Sequence, residues 1–428
     1  MKKKSTADLA RRRKALSRLQ LIKLNGGLGR LRRRNRFYQA KLENTKLPLL
    51  SAEDIVSLPF TTKDELVRDQ DEHPPYGTNL TSPLARYTRV HTTSGTTGRK
   101  LKWLDTDRTW AWFIRCWQEI YRAAGLDCDD VVFAAFGFGP FIGFWGGFEA
   151  AKELGAMVVA GGAQSSLQRI DWIRDSRATV LLSTPTYALR LAEVARENGI
   201  ELSSDSIRMT IHAGEPGASI PATRRRIEEA WGARAFDHAG STEVGAWGYE
   251  CPAGAGMHLL ESEFIGEVLE VGGHRPVGLG ESGELVLTNL GRWDMPVVRY
   301  RTGDIVRLGE DACECGSPYV FFPGAVLGRA DDMIQLRGMN VYPSAVEELV
   351  RTQTEIVEFE VEVFRHREML EMEIRVEVLP ESRQDAVCSE LSRTVATRLG
   401  LQATVRPVSV GSLPRYELKA RRFRIREE

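Results

Sequence analysis

Short β-branched or aromatic runs alternate with helical stretches between residues 131 and 198 of this chain. Runs at 131–135, 156–160 and 179–183 have the composition of buried strands, and a helical stretch at 187–198 follows the last of them. This alternation is typical of a parallel sheet whose strands are joined by crossover helices. We therefore predict an α/β fold for the large N-terminal part of the chain.

The pattern changes twice further along the chain. Between residues 264 and 308, short alternating runs separated by Gly and Pro, such as 284–288 and 297–300, indicate an antiparallel β subdomain. After Arg329 the pattern is that of a compact α+β unit of roughly 100 residues. Its predicted helices lie at 344–354 and 382–399, and its predicted strands lie near 357–365, 371–377 and 404–408.

We place the domain boundary near residues 328–331. The prediction is a large domain at 1–328, which begins with a basic leader at 1–36, and a small domain at 329–428. The leader holds fourteen Lys and Arg residues and one acid, Asp8. We interpret it as a solvated basic helix that packs on the body, in preference to an arm that binds nucleic acid or a membrane.

The overall charge argues against a nucleic-acid partner, because Lys+Arg and Asp+Glu both number 58. No apolar signal core precedes Arg11. The longest uncharged run, 131–148, contains five glycines and Pro140, which suits a buried, tightly turned segment better than a membrane span. We expect a cytoplasmic protein without a membrane partner.

Residues 92–100 combine hydroxyl side chains, two glycines and a basic end. Glycines let backbone N–H groups turn toward an anion, and Ser or Thr hydroxyls add donors, so the segment is suited to phosphate. The Walker A ending is missing. A flexible surface turn is the alternative for this segment taken alone. The predicted phosphate ligands are Ser94, Gly95, Thr96, Thr97 and Gly98.

These five residues resemble the phosphate-binding loop of the adenylate-forming superfamily, which includes acyl-CoA ligases, peptide-synthetase adenylation domains and luciferases. Further motifs of that superfamily follow in its order: Ala213-Gly214-Glu215-Pro216, Gly240-Ser241-Thr242-Glu243, Tyr300-Arg301-Thr302-Gly303-Asp304, Gly328-Arg329-Ala330-Asp331-Asp332-Met333 and Lys419. Residues 36–42, 58–63 and 337–344 are similar to the phenylacetate–CoA ligase branch. The likeness runs from about residue 34 to the end of the chain.

The resemblance implies roles for individual residues. Thr242 would hydrogen-bond a phosphate, with Ser241 beside it, and Glu243 would hold Mg²⁺. Asp304 would accept hydrogen bonds from the ribose hydroxyls, and Arg329 would support the nucleotide. The adenine would lie along Gly214, Glu215 and Pro216. Lys419 would bridge the acid's carboxylate and the α-phosphate of ATP, and Asp331 would be the hinge between the domains.

Two positions depart from the pattern of the superfamily. Ala239 stands where an aromatic residue usually precedes the Gly-x-Thr-Glu turn, which makes Phe236 or His238 a candidate for stacking on adenine. Leu418 stands where a Gly usually precedes the catalytic lysine.

Four residues could bind zinc if the fold brings them together. Three thiols and an imidazole are ligands that Zn²⁺ binds tetrahedrally, and a fully protein-ligated site would be structural. Similar Cys and His positions in phenylacetate–CoA ligases support this interpretation. Four unrelated residues are the alternative. The candidate ligands are Cys251, His258, Cys313 and Cys315.

Aromatic residues interleaved with glycines occupy the region where the superfamily forms its acid pocket. We expect a small aromatic acid such as phenylacetate, benzoate or anthranilate. The predicted pocket residues are Phe136, Phe141, Gly143, His212 and Ala239.

Three hypotheses about function follow. The first is an ATP-dependent aryl-acid–CoA ligase, which uses ATP, Mg²⁺ and coenzyme A. The second is a stand-alone adenylation enzyme that loads the phosphopantetheine arm of a separate carrier protein. The third, a non-catalytic nucleotide- or nucleic-acid-binding protein, is disfavoured because every motif is present. A homodimer would be unsurprising for this branch.

Overall fold

The computed structural model describes residues 6–93, 100–254, 256–310, 313–336, 339–366, 369–417 and 419–426. The N-terminal region is mostly helical and ends in a β-hairpin. Its elements are α1 (Thr6–Arg34), α2 (Arg36–Lys41), short 3-10 turns at Glu53–Ser57 and Leu84–Arg86, α3 (Lys63–Glu72), β1 (Tyr87–Thr92) and β2 (Lys102–Thr106).

The basic leader forms a helix that packs on the body of the large domain. Leu24, Leu28 and Leu31 recur at helical spacing and are fully buried, so α1 has an apolar face beneath its charged one. Gln20 of the same helix donates from Nε2 to the carbonyl oxygens of Glu261 (3.0 Å) and Phe264 (2.9 Å). These contacts agree with the interpretation of the leader as a packed basic helix.

An eight-stranded mixed sheet forms the centre of the large domain. Its elements are α4 (Asp107–Ala124), β3 (Val131–Ala134), α5 (Ile142–Glu153), β4 (Met157–Ala160), α6 (Ser166–Asp175), β5 (Val180–Ser183), α7 (Pro185–Glu197), β6 (Met209–His212), α8 (Pro221–Trp231), β7 (Arg234–Ser241), β8 (Gly245–Glu250) and β9 (Gly256–Leu259). The strands β4, β3, β5, β6 and β7 are parallel neighbours in that order. The predicted α/β fold is confirmed.

Helices cover both faces of the parallel strands, which requires each strand to be apolar on both sides. Successive residues of β3 show this, because Val132 belongs to the core beneath α4 and α5. Phe133 belongs to the core beneath α6, α7 and α8. The uncharged run at 131–148 therefore forms β3, a loop and the start of α5. Among the described helices, none combines the length and the apolar character needed to cross a bilayer.

The antiparallel β subdomain is also present. It comprises β10 (Phe264–Leu269), β11 (Ser282–Asn289) and β12 (Tyr300–Arg307), followed by β13 (Phe321–Pro323) and β14 (Val326–Arg329). Strands β10, β11, β12 and β14 form one four-stranded antiparallel sheet. Strand β13 instead pairs with β9 at the edge of the central sheet.

One predicted strand is wrong. Residues 297–300 precede β12 as irregular chain, and only Tyr300 belongs to a strand. The backbone polar groups of this segment find hydrogen-bond partners in the N-terminal region. The N–H of Val298 donates to the Tyr38 hydroxyl (2.9 Å), and the carbonyl of Arg299 accepts from Thr61 N (3.0 Å). The φ of +46° at Arg299 breaks the extended geometry, although the residues are buried as a strand would be.

The C-terminal region forms a separate sheet with its own hydrophobic core. Its elements are β15 (Ile334–Leu336), β16 (Met339–Val341), α9 (Pro343–Arg351), β17 (Ile356–His366), β18 (Met369–Val378), α10 (Gln384–Leu399), β19 (Ala403–Val408) and β20 (Phe423–Arg426). The strand order is β19-β18-β17-β20. A separate hydrophobic cluster, which includes Val346, Phe359, Ile374 and Leu391, lies between this sheet and its helices.

Candidate active site

The carboxyl ends of the parallel strands meet at one edge of the central sheet, where open α/β sheets usually bind ligands. Strand β5 ends beside β6 there, since Ser183 pairs with His212, and β6 ends beside β7, since His212 pairs with Asp237. The loops that follow these strands carry Thr184, the Gly214-Glu215 pair and the Thr242-Glu243 turn. Motifs far apart in sequence therefore converge on this edge.

The predicted phosphate loop, Ser94 to Gly98, lies outside the described residues. The residues on its two sides pair with each other: Thr93 N donates to the carbonyl of Leu101 (3.0 Å), and Leu101 N donates to Thr93 Oγ1 (3.0 Å). Thr92 N donates to the carbonyl of Pro140 (2.9 Å). The base of the loop is thus attached to the segment that carries the predicted acid-pocket residues.

The Thr242-Glu243 turn joins β7 to β8 and is held from below by a buried ion pair. Arg292 donates from Nη1 to the carbonyl of Thr242 (2.6 Å) and from Nε and Nη2 to the Asp105 carboxylate (2.9 and 2.5 Å). Arg292 and Asp105 are fully buried, so neither can move without leaving a buried charge unpaired. Ser241 Oγ accepts from Val244 N (3.2 Å) and tightens the same turn.

Glu243 and Tyr300 face each other across this turn. The Glu243 side chain is buried, and its carboxylate lies near the Tyr300 hydroxyl. Burial raises the pKa of Tyr300 well above its ordinary value, and the neighbouring Glu243 carboxylate raises it further. Tyr300 therefore stays neutral beside the carboxylate.

Asp304 and Arg329 are cross-strand neighbours on β12 and β14. Arg329 donates from Nη1 to Asp304 Oδ1 (3.2 Å) and from Nε to Asp331 Oδ1 (2.8 Å). Burial raises the pKa of Asp304 to about 6, against the opposing effect of Arg329. Arg329 thus forms ion pairs with both Asp304 and Asp331, and Asp331, the predicted hinge residue, is the exposed partner.

Lys419 reaches the same cleft from the C-terminal end of the chain. Its side chain crosses Gly214 so closely that a Cβ atom added there would lie 3.3 Å from Lys419 Cε, and Gly214 has a φ of +99°. The lysine stays accessible to solvent, yet desolvation by the surrounding protein lowers its pKa. Arg329 lowers the pKa too, whereas Glu215, Asp304 and Glu243 raise it.

Glu215 makes contacts in addition to the adenine contact that the resemblance implies. Its carboxylate accepts hydrogen bonds from Thr186 N (3.0 Å) and Ala420 N (2.8 Å), so both oxygens are engaged by backbone donors. Pro216, beside it, is exposed. The carboxylate therefore connects the start of α7 to the residue that follows Lys419.

The predicted acid-pocket residues form two groups. Phe136 is buried and stacks on Phe144 with ring centroids 3.9 Å apart, and Phe141 is half-buried beside Gly139. A Cβ atom added at Gly143 would meet no atom within 4 Å, so open space lies beside this residue. Ala239 is half-buried and packs on the same core as Phe136.

His212 lies apart from this aromatic group, at the end of β6. It is fully buried, with Nε2 2.8 Å from Thr210 Oγ1. Desolvation by burial lowers the pKa of His212 to about 3, so the imidazole is neutral. It can offer the acid a neutral polar group but not a positive charge.

Neither candidate for the adenine-stacking role presents a free ring. Phe236 is fully buried in the core of the large domain. His238 is also buried, with its ring centroid 4.2 Å from that of Trp117, and its Nδ1 donates to the carbonyl of Gly248 (2.9 Å). Strand periodicity explains this, because both residues alternate inward on β7.

The predicted zinc ligands converge at the other edge of the sheet. One ligand atom from each of Cys251, His258, Cys313 and Cys315 lies within 4.8 Å of the others. Sγ of Cys251 is 3.2 Å from Sγ of Cys313, and Sγ of Cys315 is 3.2 Å from His258 Nε2. Around a tetrahedral zinc ion, ligand atoms are separated by about 3.3–3.8 Å.

The second nitrogen of His258 supports the same geometry. Its Nδ1 is 3.3 Å from the carbonyl oxygen of Val320, which can only accept, so Nδ1 carries the proton and Nε2 presents its lone pair to the thiols. The residues present therefore fit Zn²⁺.

Two residues of the candidate active site were not predicted: Asp105 and Arg292. Arg292 lies 187 positions from Asp105 in the sequence. No local pattern marks such a pair, because a buried ion pair is defined only by the packing that brings its members together.

Comparisons with known proteins agree with this geometry. Residues 338–425 match the family described as AMP-binding enzyme C-terminal domain. The phenylacetate-coenzyme A ligase of Pseudomonas putida is 32% identical over 389 residues, covering 87% of this chain and 84% of that protein. The phenylacetate-coenzyme A ligase of Thermus thermophilus is 31% identical, covering 85% of each chain.

Solved structures of 2-hydroxyisobutyryl-CoA ligase are similar over nearly the whole chain. The postadenylation state with 2-HIB-AMP has a TM-score of 0.90 at 29% identity, covering 97% of this chain and 90% of that chain. The thioesterification state, with 2-HIB-AMP and CoA, covers the same shares at 30% identity but has a TM-score of 0.72. The arrangement of this chain is thus more similar to the postadenylation state of that protein than to its thioesterification state. Together the site and these likenesses show that the chain belongs to the phenylacetate–CoA ligase branch of the adenylate-forming superfamily.

Proposed function

We propose that this protein is an ATP-dependent ligase that adenylates an aromatic carboxylic acid and transfers the acyl group to coenzyme A. One observation carries the proposal: Lys419, from the C-terminal region, lies among the charges of Glu243, Asp304 and Arg329 at the carboxyl edge of the sheet. A lysine drawn into a cleft with these groups is suited to neutralise charge that develops on a phosphate during acyl transfer.

In the first half-reaction, a carboxylate oxygen of the acid attacks the α-phosphorus of ATP, the α–β phosphoanhydride bond breaks, and pyrophosphate leaves. Lys419 holds the acid's carboxylate against the α-phosphate, and the ionised form of Asp304 accepts hydrogen bonds from the ribose hydroxyls. Thr242 donates to a phosphate oxygen. Glu243 would hold Mg²⁺, which when bound neutralises charge on the departing pyrophosphate.

In the second half-reaction, the thiolate of coenzyme A attacks the acyl carbon of the adenylate, and AMP leaves. We propose that residues 329–428 act as a mobile small domain that withdraws Lys419 before this step, with Asp331 as the hinge. The separate hydrophobic core of this region supports the boundary. The closer likeness to the postadenylation state than to the thioesterification state of 2-hydroxyisobutyryl-CoA ligase supports the rotation.

The aromatic substrate class is supported by the ring-rich segment before and within α5. The Phe136–Phe144 stack provides an apolar wall, and the open space at Gly143 leaves room beside it. A flat ring fits between a stacked wall and a glycine better than a long acyl chain, which would need a tunnel.

The test is acid-dependent ATP–pyrophosphate exchange with phenylacetate, benzoate, anthranilate and 2-hydroxyisobutyrate, followed by addition of coenzyme A to the responding acid. We expect exchange with an aromatic acid and thioester formation with free coenzyme A. Exchange without a thioester would favour a carrier-protein acceptor. Response to 2-hydroxyisobutyrate alone would refute the aromatic substrate class, and exchange with no acid would refute the ligase.

We also propose a structural Zn²⁺ held by Cys251, His258, Cys313 and Cys315. The ion would tie the loop before β13 to strands β8 and β9. Purified protein should contain one zinc per chain, and Cys313→Ser should lose the metal and lower the melting temperature. Cys128→Ser, an exposed thiol outside the cluster, is the control. Metal-free protein that melts at the same temperature with and without added zinc would refute the site.

A further inference from the structure

We infer that Glu215 is a positioning residue that docks the catalytic lysine: its carboxylate holds Ala420, the residue after Lys419, against the start of α7. This inference rests on the proposed function of Lys419. It assigns to Glu215 a task besides the adenine contact that the resemblance implies, because each carboxylate oxygen accepts a hydrogen bond from a backbone N–H group.

Glu215 is anchored at the start of α7. Glu215 Oε1 accepts from Thr186 N at 3.0 Å, and Thr186 lies in the first turn of α7, where backbone N–H groups have no partner within the helix. A carboxylate is favoured at this end of a helix dipole. Glu215 is therefore fixed in the large domain whether or not the C-terminal segment is present.

Glu215 also binds the C-terminal segment. With Oε1 fixed, Oε2 points to the C-terminal segment and accepts from Ala420 N at 2.8 Å. Gly214, the residue before Glu215, lies under the Lys419 side chain: a Cβ atom added there would be only 3.3 Å from Lys419 Cε, so the lack of a Cβ lets the lysine pass close to the backbone. The Gly214-Glu215 pair thus contacts both the side chain of Lys419 and the backbone next to it.

Two further contacts keep the segment in register with α7. Arg422 Nη1 lies 3.3 Å from Thr186 Oγ1, the same residue that anchors Glu215. Arg415 forms an ion pair with Glu193 of α7 at 2.9 Å and with Glu377 of the C-terminal sheet at 2.7 Å. These contacts bind the segment on either side of Lys419, whereas Glu215 acts directly beside it.

The negative charge of Glu215 also acts on the protonation of Lys419. Desolvation lowers the pKa of Lys419, and Glu215 is the foremost of the carboxylates that oppose this and keep the ammonium protonated. Glu215→Gln would remove this charge. It would also turn one of the two acceptors into an NH₂ group that faces an N–H donor.

The experiment compares Glu215→Gln and Glu215→Ala with Glu228→Gln. Glu228 also accepts a backbone N–H, from Ala235 at 3.0 Å, but this bond lies within the large domain and does not reach the C-terminal segment. For the Glu215 variants we expect kcat of adenylation to fall by about 10- to 100-fold with KM for ATP unchanged. Thioester formation from pre-made acyl-adenylate and coenzyme A should be retained, which also shows that the variants fold.

Three readouts separate positioning from other roles. Glu215→Gln combined with Lys419→Ala should be no slower than Lys419→Ala alone, and the alkaline limit of adenylation should move to lower pH in Glu215→Gln. Amide hydrogen exchange in the peptide spanning 419–426 should accelerate without any substrate. Any of three results would overturn the inference: a raised KM for ATP with unchanged kcat, additive losses of adenylation rate in the double variant, or unchanged amide hydrogen exchange in the 419–426 peptide. If the wild type forms no adenylate, the proposed function fails, but the exchange readout still tests the dock.

Discussion

Lys419 is the residue whose removal should separate the two half-reactions. We expect Lys419→Ala to slow adenylation by about 10²- to 10³-fold, because the charge developing at the α-phosphate loses its cation. Thioester formation from supplied adenylate should persist, since the lysine is not needed there. Adenylate formation is measured by pyrophosphate release, with Lys46→Ala, an exposed lysine, as control. Unchanged pyrophosphate release would remove Lys419 from this role.

Asp237 makes a separate, residue-scale prediction about stability. It is buried beside Glu250, and burial raises its pKa to about 7, against hydrogen bonds from Ser219 and His238 N and the charge of Arg224. The folded protein therefore holds a proton that the unfolded chain releases near pH 4. Stability from this proton is fully present below about pH 4 and is lost as pH rises to about 7, by up to about 1.4 kcal/mol per pH unit.

Asp237→Asn should remove this dependence while keeping the shape of the side chain. The measurement is the urea midpoint of both proteins between pH 5 and pH 8. The difference between them should shift in favour of the variant as pH rises to about 7 and then level off. A constant difference across this range would show that Asp237 is already ionised in the fold.

At the scale of elements, the docking of α1 can be tested with two adjacent glycines. A Cβ atom at Gly27 would overlap the ring of Trp293, whereas a Cβ atom at Gly26 would meet nothing within 4 Å. Gly26→Ala should stabilise the protein by about 0.5–1 kcal/mol through helix propensity. Gly27→Ala should destabilise it, because the helix must move off its contact. Melting temperatures that shift in the same direction for both variants would contradict the tight packing of the leader.

The cluster of Cys251, His258, Cys313 and Cys315 shows which element-scale predictions a sequence permits. Because Zn²⁺ prefers thiolate and imidazole ligands, only a few Cys and His residues were candidates. The fold brings these four together at the edge of the central sheet, where β8, β9 and β13 are neighbours. The irregular segment at 297–300 shows the opposite. Its composition is that of a strand, but the backbone groups of Val298 and Arg299 pair with residues from the N-terminal region. A local pattern carries no information about such partners.

At the scale of the whole molecule, the C-terminal domain is held in place by helix-end contacts. Arg226 of α8 donates to the carbonyl oxygens of Arg351 (2.9 Å), Ile356 (2.8 Å) and Gln353 at the end of α9. In return, Glu348 of α9 accepts from Ala222 N at the start of α8 (2.9 Å). The positive Arg226 of α8 thus lies at the negative C-terminal end of the α9 dipole, and the negative Glu348 of α9 lies at the positive N-terminal end of the α8 dipole.

Arg226→Ala should therefore weaken the arrangement in which Lys419 is in the cleft. Charged hydrogen bonds are worth about 1.5–3 kcal/mol each, so the net loss of even one of the three should slow adenylation by at least about tenfold. Thioester formation from supplied adenylate should not slow, because the proposed function assigns it to another arrangement of the small domain. Arg225→Ala, an exposed neighbour on the same helix, is the control. Equal losses in both half-reactions would show that Arg226 supports the fold in general.

Much of this protein follows from its sequence alone. The alternation of strands and helices indicates the α/β fold, and the order of motifs from residue 94 to Lys419 indicates the superfamily. Both are local signals, since periodicity and short motifs depend on neighbouring residues. Only the tertiary structure decides that Glu215 binds Ala420, 205 positions away, that Arg292 supports Thr242, and that Phe236 and His238 turn into the core. These facts depend on how strands are ordered and where the C-terminal domain docks, and both are set by long-range packing.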